Sequence, residues 1–330
     1  MQLDFLDVLT TVIALVILVL PGYILAKTKI LPEKSDSVFS NIVLYGCQPV
    51  MLFMSFQKEY SSGLAVNMLI TAGGSAAIHL IMIVIICLFF RNKNNSASIN
   101  VLRFSSIFGN VGFMGLPFLQ TLFSGRPDLQ GEILIYGATI IAVFNLFNWT
   151  FGVWIISGER KKVSLKNFFL NPNIIAIALG FLLFIVVQTP LSSLAAEGSL
   201  TDKFLEKFVQ SMNFIGDMVT PLAMVIIGIK LAAIKPKDLF LNKLAYTECF
   251  NKLILCSLVT ILLVAFVPVS DVIKYALFFT MSMPSAASSV MFAVRFGGDA
   301  ENGAVMVLLS TALSVLTIPL MFLLFSAVVT

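Results

Sequence analysis

The sequence predicts an all-α integral membrane protein, with ten transmembrane helices in two inverted five-helix repeats whose fourth and ninth helices are broken and cross. Three observations carry that reading. First, 58% of the 330 residues are hydrophobic and 12% charged, against roughly 45–50% and 25% in soluble domains. The apolar residues come in blocks of about 20, the length that crosses a hydrocarbon core of roughly 30 Å as a helix. Second, the basic residues divide unevenly between alternate connections. Third, proline interrupts one apolar block in each half at corresponding places, among glycines in the first and among serines and alanines in the second.

Apolar runs between polar breaks place the spans at 5–26, 38–56, 66–90, 103–123 and 132–156, then at 173–187, 208–229, 245–267, 272–294 and 303–328. The first follows Asp4 and Asp7 with no Lys or Arg before it, unlike the basic start of a signal peptide, so it is expected to remain as a span. Of the 21 Lys and Arg, sixteen fall in one set of connections: Lys27, Lys29, Lys34, Arg91, Lys93, Arg103, Arg160, Lys161, Lys162, Lys166, Lys230, Lys235, Lys237, Lys243, Lys252 and Arg295. The other set holds Lys58, Arg126, Lys203, Lys207 and Lys274. Cytoplasmic loops carry the basic excess. Both termini are therefore expected outside a multi-pass cell membrane, plasma or inner, with the loop at 160–166 inside. That loop divides the chain into repeats at 1–160 and 161–330, and an odd span count per half inverts the second.

Internal similarity supports the repeat. Asn41 precedes Pro49, and Asn213 precedes Pro221, by the same eight residues, an offset of 172. Pro117 and Pro284 stand 167 apart and are expected to be equivalent. Gly109, Gly112, Gly115 and Pro117 crowd the fourth span, and Ser282-Met283-Pro284-Ser285-Ala286-Ala287-Ser288-Ser289 fills the ninth. Proline removes a helix donor and glycine admits other conformations, so both spans should break. Broken backbone at membrane depth is tolerated only inside protein or beside a wet cavity. Each second half-helix would aim its positive end at the centre, which suits a carboxylate. The expected binding residues are Asn110, Gly112, Gly115, Pro117, Pro284, Ser285, Ser288 and Ser289, with Asn41, Asn145 and Asn148 as cavity lining.

Asp217, four residues before Pro221 in the seventh span, is the candidate for proton coupling, because a carboxylate at that depth is costly and by default functional. His79 reads as a packing residue. Glu248 and Lys252, four apart, read as a local ion pair. Cys47, Cys87, Cys249 and Cys256 have no metal-site spacing, and neither cofactor nor metal is expected. A net charge of +4 is too small and scattered for nucleic acid. The expected partners are a small organic anion and the lipid bilayer, with a homodimer left open.

The run N-V-G-F-M-G-L-P-F-L from Asn110 resembles the Asn-x-x-x-Met-Gly-x-Pro-x-Leu motif of auxin efflux carriers, the plant PIN proteins and their bacterial relatives called malate permeases. C-Q-P-V-M-L-F around Pro49, Ala293 and Phe296 after the ninth-span proline, and L-L-S-T-A-L-S-V-L-T-I-P ending at Pro319 agree with it. The resemblance implies ten helices in inverted halves, a crossover at Pro117 and Pro284, and Asn110 on the substrate carboxylate. Ser285 stands where plant members have Gln, and Gly297 where they often have Asn, so the pocket is not plainly built for an indole ring. The short central loop lacks their long insertion. The expected function is a secondary transporter of a small carboxylate by alternating access, and not an enzyme. A sodium-coupled symporter of the bile-acid type and a cation/proton antiporter share this architecture, but antiporters usually need carboxylates at the crossover, and 109–122 and 281–294 contain none. No hydrolase or metalloprotease motif supports a membrane enzyme, and matched halves disfavour a channel.

Overall fold

A computed structural model describes residues 3–91, 93, 96–233 and 241–329, and the regular elements among them are helices. Among them, eight helices are long and apolar enough to cross a membrane, and Val111–Leu122 is a shorter apolar helix. We label the principal helices α1 (Phe5–Lys27), α2 (Ser35–Ser55), α3 (Ser62–Phe89), α4 (Ala97–Ile107), α5 (Val111–Leu122) and α6 (Pro127–Ser157). Then follow α7 (Pro172–Val186), α8 (Leu200–Ala233), α9 (Lys243–Phe266), α10 (Asp271–Met281), α11 (Ser288–Phe296) and α12 (Ala300–Val329). The expected fourth and ninth spans are thus each a pair of shorter helices, α4 with α5 and α10 with α11.

Local chemistry sets the ends. Asp4 and Asp7 form a reciprocal capping box at the start of α1, and Ser61, Ser96 and Ser199 each cap the helix that follows through the hydroxyl. The expected seventh span began at 208, but α8 starts at Leu200 because its first turns are amphipathic. Lys203, Glu206 and Lys207 alternate there with Phe204 and Phe208, a pattern that a search for apolar runs passes over. Proline leaves its mark just upstream: α2 widens into a π turn at Val43–Cys47 before Pro49, and α8 relaxes at Met218 before Pro221. Such local widening relieves the clash of the proline ring with the preceding turn.

The helices sort into two groups by their packing. In one, α1 lies along α8, and α2 packs on α7 and α8. The α1–α8 crossing is close because both sides are glycine: a β-carbon on Gly22 would stand 2.1 Å from the Val225 carbonyl oxygen, and one on Gly228 2.2 Å from that of Val19. Small residues bring membrane helices together in this way. In the other group, α3 and α10 pack on α6, and α9 and α11 on α12, around buried rings such as Phe104, Phe108, Phe118, Phe279 and Phe292. Large apolar side chains such as Leu69, Val186 and Leu316 are exposed on outward faces, as lipid contact requires.

Candidate functional site

The site is built where α4 and α10 stop. Their continuations, 108–110 and 282–287, run antiparallel and pair through the backbone: the Asn110 N–H donates to the Pro284 carbonyl at 2.7 Å, and the Ala286 N–H to that of Phe108 at 2.9 Å. Each break thus satisfies the amides that the other leaves open, the condition for irregular backbone inside a membrane. Lys252, on α9 and 1% exposed, reaches the carbonyls of Ile107 at 3.4 Å and Met281 at 3.1 Å, the last residues of α4 and α10. One ammonium therefore serves the negative ends of both helices. A β-carbon on Gly109 would lie 2.9 Å from Lys252 Nζ, so this glycine makes the room for it.

These contacts correct two expectations. Lys252 and Glu248 do not turn to each other along α9. Lys252 goes to the two carbonyls, while Glu248 is hydrogen-bonded with the hydroxyl of Ser285. Pro117 does not mark the break: the interruption lies at 108–110, and Pro117 sits within α5, beyond a π turn at Val111–Gly115. Pro284 does lie in the second break.

Beside the paired breaks is a cavity of about 380 Å³. Asn110, Gly112 and Ser288 line it, joined by Asn41 of α2 and by Asn145 and Asn148 of α6. The other expected binding residues do not. Gly115 packs against Met283, Pro117 is buried in α5, and Pro284, Ser285 and Ser289 are buried behind the cavity wall. Sequence reading also missed lining residues. Gln48, the glutamine of the C-Q-P run, accepts from Asn173 Nδ2 at 3.1 Å. Its own Nε2 lies where a β-carbon on Gly112 would come within 2.5 Å, so Gly112 admits this amide. Asn171 and Asn173 flank Pro172 at the start of α7, and Lys230, counted as a loop charge, lines the cavity with Asp36. The last two also line a vestibule with Lys29 and Lys34, which places the opening on the side of the basic connections.

Several polar atoms of this wall are left open. Asn110 Oδ1 accepts from the Phe113 N–H at 3.3 Å, capping α5, and its Nδ2 is committed to no partner among the described residues. Asn148 Oδ1, Asn173 Oδ1 and Ser288 Oγ have no hydrogen-bond partner among them either. The N-terminal ends of α5 and α11 begin at Val111 and Ser288 in the cavity wall, adding partial positive charge.

Asp217 lies elsewhere. It is exposed to a second cavity of about 290 Å³ shared with Lys58, Gln120 and Asn213. Gln120 Nε2 donates to Asp217 Oδ1 at 2.8 Å, and Thr220 Oγ1 donates to Gln120 Oε1 at 3.0 Å. With the Arg126–Asp7 ion pair at 3.3 Å, these bonds tie α5 and α6 to α8 and α1.

The profile of a family described as membrane transport protein, that of the auxin efflux carriers, matches residues 7–168 and 160–322. The chain is also 24% identical over 322 residues to an uncharacterized transporter of Methanocaldococcus jannaschii, covering 94% of this chain and 96% of that protein. The chain belongs to that membrane transport family and is a multi-pass membrane protein.

Proposed function

We propose that this membrane transport protein is a secondary carrier of a small organic anion, a carboxylate, working by alternating access at the paired breaks. In this reading α4 with α5 and α10 with α11 each make one broken span. The ten spans then form inverted halves at 1–160 and 161–330, with both termini outside the cell membrane. Support comes from the pairing itself. The bonds from Asn110 to Pro284 and from Ala286 to Phe108 exchange under a shift of 176 residues, as a two-fold axis between halves would make them. On that register Phe108, not Pro117, corresponds to Pro284.

The observation that carries the anion reading is the cavity wall. Two helix N-terminal ends, the Asn110 amide and the Lys230 ammonium meet there, and charge-assisted hydrogen bonds to a carboxylate are about twice as strong as neutral ones. The opening beside Lys29 and Lys34 is the cytoplasmic mouth of an inward-facing state, and the bonds around Gln120 and Asp217 close the opposite face. The test is a competition screen of mono- and dicarboxylates, amines and neutral analogues on the purified protein in proteoliposomes, with and without a sodium gradient. Carboxylates should compete and the amines should not. Transport that requires sodium would assign a symporter instead, and recognition of amines alone would contradict the reading.

A further inference from the structure

Glu248 is a wholly buried carboxyl on α9, and the carriage of an anion makes no use of it. Its Oε1 contacts Ser285 Oγ, and the same Oγ lies 2.8 Å from the carbonyl oxygen of Ser105. Three oxygens, carboxyl, hydroxyl and carbonyl, therefore stand in a row with two hydrogen bonds between them. Each bond needs one hydrogen, and a serine hydroxyl has only one to give. The Ser285 backbone N–H is already used on Ser310 Oγ at 3.1 Å, and a carbonyl supplies none. The second hydrogen has to sit on Glu248.

We infer that Glu248 is a proton-binding site of the crossover, donating from Oε1 to Ser285 Oγ, which in turn donates to the Ser105 carbonyl. A carboxylate would draw the Ser285 hydrogen to itself. The Ser105 carbonyl, in the last turn of α4, would then face a hydroxyl oxygen with no hydrogen between them, and an unpaired carbonyl in an interior is costly. The proton thus fastens the second break to the end of α4, and its release would untie that bond. The charged and titratable groups around Glu248 have other tasks. Lys252, one turn along, serves Ile107 and Met281, and Cys249 Sγ lies 3.6 Å from the second carboxyl oxygen. From α3, His79 Nδ1 is 2.8 Å from the Ser75 carbonyl. On α4, Arg103 donates to Asn100 Oδ1 and the Phe90 carbonyl, and at the start of α12 Asp299 takes Ser98 and Asn302.

The test is infrared difference spectroscopy on the purified full-length protein at neutral pH, wild type minus Glu248→Gln. The wild type should show the carbonyl band of a protonated, hydrogen-bonded carboxylic acid that the variant lacks. Loss of carboxylate bands alone would overturn the assignment. Should Glu248→Gln fail to fold, Ser285→Ala gives a second reading: removing the acceptor should shift the acid band upward. A spectrum with no acid band to shift would overturn the inference equally. Neither outcome depends on which solute the cavity carries.

Discussion

Asn110 divides one carboxamide between two places, its oxygen capping α5 and its nitrogen, in the function proposed above, holding the anion. Two substitutions separate them. Asn110→Ala loses both, which should weaken carboxylate binding about 10- to 100-fold, from roughly 1.5–3 kcal/mol for a hydrogen bond to a charged group. It should also cost about 1 kcal/mol of stability from the cap. Asn110→Asp keeps an acceptor for Phe113 but puts a negative charge where the donor was, so it should retain the cap and still bind less. Calorimetric titration beside a melting curve checks both, and unchanged affinity in Asn110→Asp would remove Asn110 from the site. The place of Asn110 and Ser288 in the cavity wall is legible in the sequence because polar residues beside helix-breaking Gly and Pro mark where the backbone opens. Lys252 is not, since its partners Met281 and Ile107 lie 29 and 145 residues away, whereas Glu248 stands conspicuously four positions off.

At the scale of elements, the sequence marks where helices fail but not how. Gly and Pro in the fourth span and Pro284 among serines in the ninth announce two breaks, and both are present. The position of the first is misread because Pro117 is the louder signal, although a π turn absorbs it and the glycine beside Lys252 is where the chain departs from helix. Polar closure is equally invisible from one span alone. Gln120, Thr220 and Asp217 come from α5 and α8, about 100 residues apart in sequence. Proton coupling at Asp217 and closure of the outer face lead to different results in Asp217→Asn. A closure role leaves any dependence on a pH gradient as in the wild type, whereas Asp217→Ala, which removes the acceptor for Gln120 Nε2, exposes a cysteine placed at Ser55 in the same cavity about five-fold more to a membrane-impermeant reagent, the equivalent of one hydrogen bond of about 1 kcal/mol. A proton role removes the pH-gradient dependence. Vesicles with pH and voltage set independently, in a background lacking the native cysteines, distinguish the two. Unaltered labelling would contradict the closure.

For the whole molecule, composition and the split of basic residues establish a membrane protein, and the motif from Asn110 points to the family that the profile match shows. Beyond their reach is the partition into two packed groups with the cavity between them. Gln48, Asn173 and Lys230 come from one group, while Asn110, Asn148 and Ser288 come from the other. A cavity divided in this way changes whenever the groups move relative to each other, which is the physical basis of the alternating access proposed above. A carrier that moves its solute by such a change differs from an open pore in one direct observable, solute counterflow. Proteoliposomes loaded with an excess of the preferred unlabelled carboxylate, diluted into a trace of the labelled form with voltage clamped to zero, should transiently accumulate label above its external concentration. Label that only equilibrates, at a rate indifferent to the internal carboxylate, would contradict alternating access at the paired breaks.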